Sequence, residues 1–293
     1  MGDDVPRVYQ VPVWLEGPEE NQHTALLREI AGVAGLELDD DLETGATLIL
    51  CDDELAVATA IDALVKAAGS RPRLGALETR YAQTVKTSAE VSYLNLRRDP
   101  QNRQVAQVTL RVEPGEGVTF RDATPSGSLP ASFVAAVGKG ISSVFREGPE
   151  PHPGLRAAMW NVAVTLVAGE HDADSPDLAA EISGRCAMRD AVKSAGQIAL
   201  EPIMALEVMV PEARTGGVIG DIVSRRGKVL KMEPRGELAI LHAECPAANL
   251  FGYTNTLHSM TEGAGTSTAR FCRYAPIHGQ GPDDFSPAMA VRA

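Results

Sequence analysis

Two stretches of the chain, residues 7–77 and 201–276, carry the same succession of hydrophobic periods. In the first, RVYQVPVWLE alternates as a strand does, and ENQHTALLREIAGVAG places apolar residues at helical spacing and closes on Gly35. LELDDDLETGATLIL then reads as two short strands around a turn at Glu43–Gly45, and ELAVATAIDALVKAAG as a helix closed by Gly69, with a last strand near Arg73–Leu77. In the second, IMALEVMVPE is a strand, GGVIGDIVSRRGKVL a helix, MEPRGELAILHAECP a hairpin-like strand pair, AANLFGYTNTLHSM a helix and TSTARFCRY a final strand. Strand, helix, two strands, helix and strand form a sheet whose apolar face two helices cover, so each end predicts a split βαβ unit.

The middle of the chain follows another pattern. TRYAQTVKTSAEVSYLNL and RQVAQVTLRVEP alternate over long stretches on either side of the polar turn RRDPQN. SLPASFVAAVGKGISSVFREG is a helix with Leu129, Phe133, Val137, Ile141 and Val144 on one face, and AAMWNVAVTLVAG is a strand run. SPDLAAEISGRCAMRDAVKSAG is a second helix, with Ser175 as its cap and Pro176 in its first position. The expected fold class is therefore α+β. Ferredoxin-like domains at 1–77 and 201–276 flank a domain at 78–200 with long strands and protruding tip loops, and 277–293 form a flexible tail.

A chain of 293 residues that is 44% hydrophobic supports two or three such cores. Its net charge of −12 is unevenly placed: residues 1–63 hold fifteen Asp and Glu against Arg7 and Arg28, whereas the remainder is close to balanced. The acidic module repels a phosphate backbone and suits a basic protein partner; the rest tolerates nucleic acid. Cys51, Cys186, Cys245 and Cys272 are far apart, with no zinc spacing, which fits reduced thiols in a cytoplasm. The N-terminus lacks the pattern of an export signal, and no apolar run reaches the roughly 18 residues of a membrane span. GGVIGD and TEGAGTST lack the lysine of a phosphate loop, and no Ser or Cys stands in a nucleophile-elbow context. DDDLE at 39–43 lacks calcium-loop spacing. No catalytic, metal or cofactor site is expected.

Against that acidic background SRRGKVLKMEPRG, residues 224–236, sets Arg225, Arg226, Lys228, Lys231 and Arg235 close together. Such a run is the footprint of phosphate contact. Complementing a helix C-terminus accounts for Arg225 and Arg226 but hardly for Lys231 and Arg235. At the polar turn of the middle domain, Arg97, Arg98 and Arg103 offer three guanidiniums on one hairpin tip. Charge for solubility at an exposed hairpin end is the plainer explanation.

LEPIM, VIGD, SRRG, MEPRG, FGY and the GAG turn at 263–265 occur in an order and spacing that resemble the C-terminal domain of elongation factor G, the ribosomal translocase. LETRYAQTV, LPASFVAAVGKGISSVFREGP and NVAVTLVAGEHDADSPDLAAEISGRCAMRDAVKSAG are similar to that family's fourth domain, and ETGATLILCDDELAVATAIDALVKAAG more faintly to its third. His171, in GEHDADS, stands where the family commonly has a tip histidine; a polar turn shared with Asp172 and Asp174 is the alternative. LRRDPQNRQVAQV replaces the glycine-rich, tyrosine-bearing tip loop, and CDDELAV replaces a glycine, histidine and glutamate motif. The resemblance implies a cytoplasmic, monomeric, non-enzymatic translation factor that binds the ribosome, its rRNA and tRNA through residues 78–276, without a GTPase domain of its own. It implies neither DNA nor membrane as a partner. The alternative is a protein-interaction or decoy module, whose acidic first domain docks a basic protein or whose factor-like surface sequesters a translation-targeting ligand.

Overall fold

The computed structural model describes residues 7–15, 20–41, 45–51, 54–68, 72–99, 102–149, 157–172 and 175–277. Residues 42–44, Gly69, Asp174 and the expected tail from residue 278 lie outside them. The chain opens with β1 (Tyr9–Trp14), α1 (Glu20–Ala34), β2 (Glu37–Asp41), β3 (Ala46–Cys51), α2 (Glu54–Ala68), β4 (Arg73–Leu74) and β5 (Glu78–Thr79). β1 is central, antiparallel to β3 from Tyr9↔Cys51 to Val13↔Thr47, and the order β2-β3-β1-β4 is that of a split βαβ unit. Alternation puts Tyr9, Val11 and Val13 inward, where Leu27 and Ala31 of α1 and Val57, Ile61 and Leu64 of α2 meet them. Gly35 ends α1 at φ 68°, which lets Leu36 N–H reach Ala31 O at 2.9 Å.

There follow β6 (Ala82–Val85), β7 (Ala89–Asp99), β8 (Asn102–Pro114), β9 (Val118–Asp122), α3 (Ala131–Glu147), β10 (Ala158–Met159), β11 (Val162–His171) and α4 (Asp177–Ala195). A four-stranded sheet of order β7-β8-β11-β9 presents Ala106, Val108, Leu110 and Val112 of β8 to Val137 and Ile141 of α3 and Met188 and Val192 of α4. The helices cross where a Cβ on Gly140 would stand 2.1 Å from Glu181 O and one on Gly184 2.7 Å from Val137 O. Only glycine admits so close an approach. Ser175 does not cap α4: the helix begins at Asp177, and the Ser175 hydroxyl accepts the Val105 N–H at 2.8 Å. Val105 lies on β8 beyond the pairing with β11, so its amide needs an acceptor, and the serine is spent there.

The chain ends with β12 (Gln197–Pro211), α5 (Thr215–Ser224), β13 (Lys228–Arg235), β14 (Leu238–Pro246), α6 (Tyr253–Met260) and β15 (Thr266–Pro276). β12 lies between β14 and β15, with β13 on the outer side of β14. The helix expected to reach Leu230 stops at Ser224, because Arg226 and Gly227 turn the chain and Lys228–Leu230 join β13. The helix expected from Ala247 is broken at Gly252, φ 66°, into a 3₁₀ turn and α6.

These elements fall into two compact units: residues up to Arg80 with Glu201–Ala275, and Tyr81–Leu200 inserted between them. In the outer unit Met204 and Ala247 belong to the same buried cluster as Val11, Leu27 and Ile49, and Tyr9 O–H donates to Ala247 O at 3.2 Å. The inserted unit starts and ends on one antiparallel pair, β6 against the first residues of β12, from Ala82↔Leu200 to Val85↔Gln197. No helix among the described residues is long and apolar enough to cross a membrane.

Candidate nucleic-acid interface

The basic run of the outer unit is built around the end of α5. Arg226 takes φ 63°, its N–H donates to Val223 O at 3.0 Å, and Gly227 N–H donates to Ile222 O at 2.8 Å. This pair of bonds closes the helix as a Schellman motif does, with arginine where glycine is usual. A left-handed arginine costs about 1 kcal/mol or more. Its guanidinium offsets that by pairing with Glu201, Nη2 to Oε1 at 2.6 Å, whose side chain is only 4% exposed. Gly227 is tight for another reason: a Cβ there would meet Ile222 O at 2.7 Å.

Arg225 is consumed inside the unit. Nε donates to Asp221 Oδ2 at 2.8 Å, Nη1 to Asn249 O at 2.8 Å and Nη2 to Thr256 Oγ1 at 3.1 Å, with the guanidinium 5.2 Å from the Tyr253 ring centre. Burial pushes the Tyr253 hydroxyl up to about 12 and the Cys245 thiol up to about 11, so both stay protonated at neutral pH. Arg225 joins α5 to the segment before α6, and its outward reach is small.

The other three cations are exposed along β13. Lys228 faces Glu244 and Lys231 faces His242 in register, while Arg235 closes the strand at the turn where Gly236 has φ 67°. Eight residues at about 3.3 Å each put Lys228 and Arg235 roughly 23 Å apart, so the five residues form a line rather than a knot. Lys231 pairs with Glu233, and its hydrogen bond holds that carboxyl below the usual carboxylate range. Lys228 and Arg235 make no ion pair among the described residues. Asp221 as the partner of Arg225 was legible from its i, i+4 spacing; Glu201 and Asn249, 25 and 24 residues distant, were not.

In the inserted unit, β7 and β8 pair to the very end of their hairpin, with Arg97 opposite Gln104 and Arg98 opposite Arg103. His171 ends β11 opposite Ala106, so the hairpin continues about 13 Å beyond it. The His171 ring is half-buried against Phe133, centroids 5.3 Å apart, at the edge of a cavity of about 130 Å³ shared with Val105, Ser175 and Asp177. Asp172 N–H donates to Val105 O, which ties the following loop to β8. His171 is thus packed and set back from the end of the hairpin, at which the register pairs Arg98 with Arg103.

The architecture is α+β, with a split βαβ sheet at each end of the chain and, between them in sequence, a four-stranded sheet that carries the β7–β8 hairpin. Sequence models of elongation factor G match twice, its domain IV over residues 78–196 and its C-terminus over residues 198–285. The chain belongs to the elongation factor G family. It is 37% identical over 266 residues to elongation factor G of Ruegeria sp. (strain TM1040), covering 89% of this chain and 37% of that protein. With elongation factor G of Dinoroseobacter shibae it shares 37% identity over 263 residues, 88% of this chain and 37% of the other. A crystal structure of a Thermus thermophilus protein superposes with TM-score 0.75 at 28% identity, covering 98% of this chain and 42% of that one. The chain spans little more than a third of the length of the curated relatives it matches.

Proposed function

We propose that this chain binds the ribosome as a translation factor, contacting rRNA through Lys228, Lys231 and Arg235 on β13 and through the arginines of the β7–β8 hairpin. The observation that carries the reading is a row of exposed cations, in a chain of net charge −12, on the segment that matches elongation factor G. Phosphate contact by such a row is sequence-independent and positions a protein on RNA. Arg225 supports the scaffold, and Arg226 divides between Glu201 and the surface. The contribution of these residues is binding rather than bond-making, and the compartment that fits is the cytoplasm. His171 fits a packing role at the base of the tip.

The test is co-sedimentation with ribosomes over a salt series. Lys228→Ala with Lys231→Ala should lower the log–log salt slope by about one to two. An unchanged slope refutes the assignment. Melting should barely shift, because exposed charges contribute within about 0.5 kcal/mol each.

A further inference from the structure

The inserted unit carries a second cationic surface, on its helices rather than at its hairpin. Beside the glycine crossing, α3 and α4 leave an open polar groove of about 580 Å³ lined by Lys139, Ser142, Ser143, Arg146, Glu181 and Arg185. Three cations there face one carboxylate. Arg185 is held in place: Nε donates to Ser143 Oγ at 3.0 Å and Nη2 to Glu181 Oε1 at 3.0 Å, which leaves Nη1 and the second Nη2 hydrogen unengaged. Ser143 in turn donates to Gly140 O at 2.7 Å, so the guanidinium is anchored to the helix crossing itself. Lys139 and Arg146 make no hydrogen bond or ion pair among the described residues. One turn beyond Arg185, the buried Nε of Arg189 has no partner among them either.

We infer that this groove holds the phosphate backbone of an RNA. Unneutralised cations grouped beside a preorganised guanidinium fork are the arrangement that oxyanions complete. A pocket for an apolar small molecule is enclosed and mostly apolar, whereas this groove is open and lined mainly by polar and charged side chains. Lys139 and Arg146 are seven residues apart on one helix, about 10 Å, which suits two different phosphates of one nucleic-acid strand. A single phosphate does not bridge that distance. The inference rests on the reading that the chain works against RNA, but it concerns a different surface from β13 and the hairpin.

The experiment uses the full chain and a fluorescently labelled RNA hairpin, with affinity read by anisotropy from about 50 to 200 mM salt. Lys139→Ala with Arg146→Ala should remove about 1.4–1.8 from the log–log slope, at roughly 0.7–0.9 for each phosphate contact, so the fall in affinity over that fourfold salt range shrinks about 7- to 12-fold. Lys139→Arg with Arg146→Lys keeps the charges and should restore the slope. An unchanged slope in the alanine variant overturns the inference. So does Lys139-dependent micromolar binding of inorganic triphosphate together with unaltered RNA binding, which would make the groove a site for a free polyphosphate. RNA binding that depends on Lys139 and Arg146 in a protein that fails to sediment with ribosomes refutes the ribosome assignment and leaves this one standing.

Discussion

Replacing Gly140 with alanine tests whether the close crossing of α3 and α4 is a requirement of the inserted unit. In an isolated helix the change stabilises by about 1 kcal/mol, because alanine has the better helix propensity. Here the new Cβ lies 2.1 Å from Glu181 O and 2.8 Å from Arg185 N, both backbone atoms that no rotamer change can move aside. Ordinary contact needs about 3.4 Å, so the helices have to part locally by about 1.3 Å, loosening Val137, Ile141 and Met188, all fully buried. Overpacking costs about 1–3 kcal/mol and occasionally more, and backbone against backbone puts this case at about 3–4 kcal/mol, so after the propensity gain a net loss of about 2–3 kcal/mol is expected. For a unit of this size that lowers Tm by roughly 8–15 °C. Each compact unit contains one tryptophan, Trp14 in the outer and Trp160 in the inserted one, so fluorescence in a Trp14→Phe background follows the relevant transition. Gly220→Ala in α5 of the outer unit, where nothing lies within 4 Å of the added Cβ, is the control, followed through Trp14 in a Trp160→Phe background, and should stabilise by about 0.5–1 kcal/mol. Unfolding of Gly140→Ala at or above the wild-type temperature would refute the steric argument.

Substitutions at two ion pairs probe the outer unit. Arg226→Ala strands the buried Glu201 carboxylate and should lower stability by about 2–4 kcal/mol in urea, with Arg226→Gly milder by about 1 kcal/mol because it relieves the positive φ, and with Glu201→Gln recovering much of the loss in the double variant. The hydrogen bond from Arg273 holds the Glu244 carboxyl below the usual carboxylate range, with burial opposing it. A depressed folded pKa stabilises above the unfolded value of about 4.3 and loses that contribution as pH falls through the folded one. Arg273→Gln should therefore destabilise by at most about 1 kcal/mol at pH 7, with the gap closing below about pH 4; a gap independent of pH removes the pair from the account.

The split βαβ order at each end was legible because hydrophobic period and glycine stops are local: Gly35 closes α1 where the pattern ended, and β1 and β3 occupy their apolar runs. The misread boundaries share a cause. SRRGKVL continues a helical pattern, but the stop is an arginine held left-handed by Glu201, and no local rule places an arginine there. Ser175 is a good cap by type, yet a strand amide 70 residues away claims its hydroxyl. The same limit governs the candidate site. Positive charge was readable from composition, whereas which arginines are spent inside the fold depends on acceptors far off in sequence. The α3–α4 groove was invisible for that reason, since Lys139 and Arg185 lie 46 residues apart on different helices and no local pattern joins them.

Because the inserted unit begins and ends on the paired strands β6 and β12, its own folding brings Ala82 and Leu200 side by side. Until then, the segments that share the outer core are joined through a flexible loop of well over a hundred residues; afterwards they are joined through what behaves as a tight turn. The loop-closure entropy removed by that change is about 3 kcal/mol on the logarithmic scaling of closure with length. A growing chain exposes Val11, Leu27 and Ile49 long before Met204 and Ala247 are synthesised. Once the inserted unit is folded, closing the outer core costs no more chain entropy than closing a tight turn.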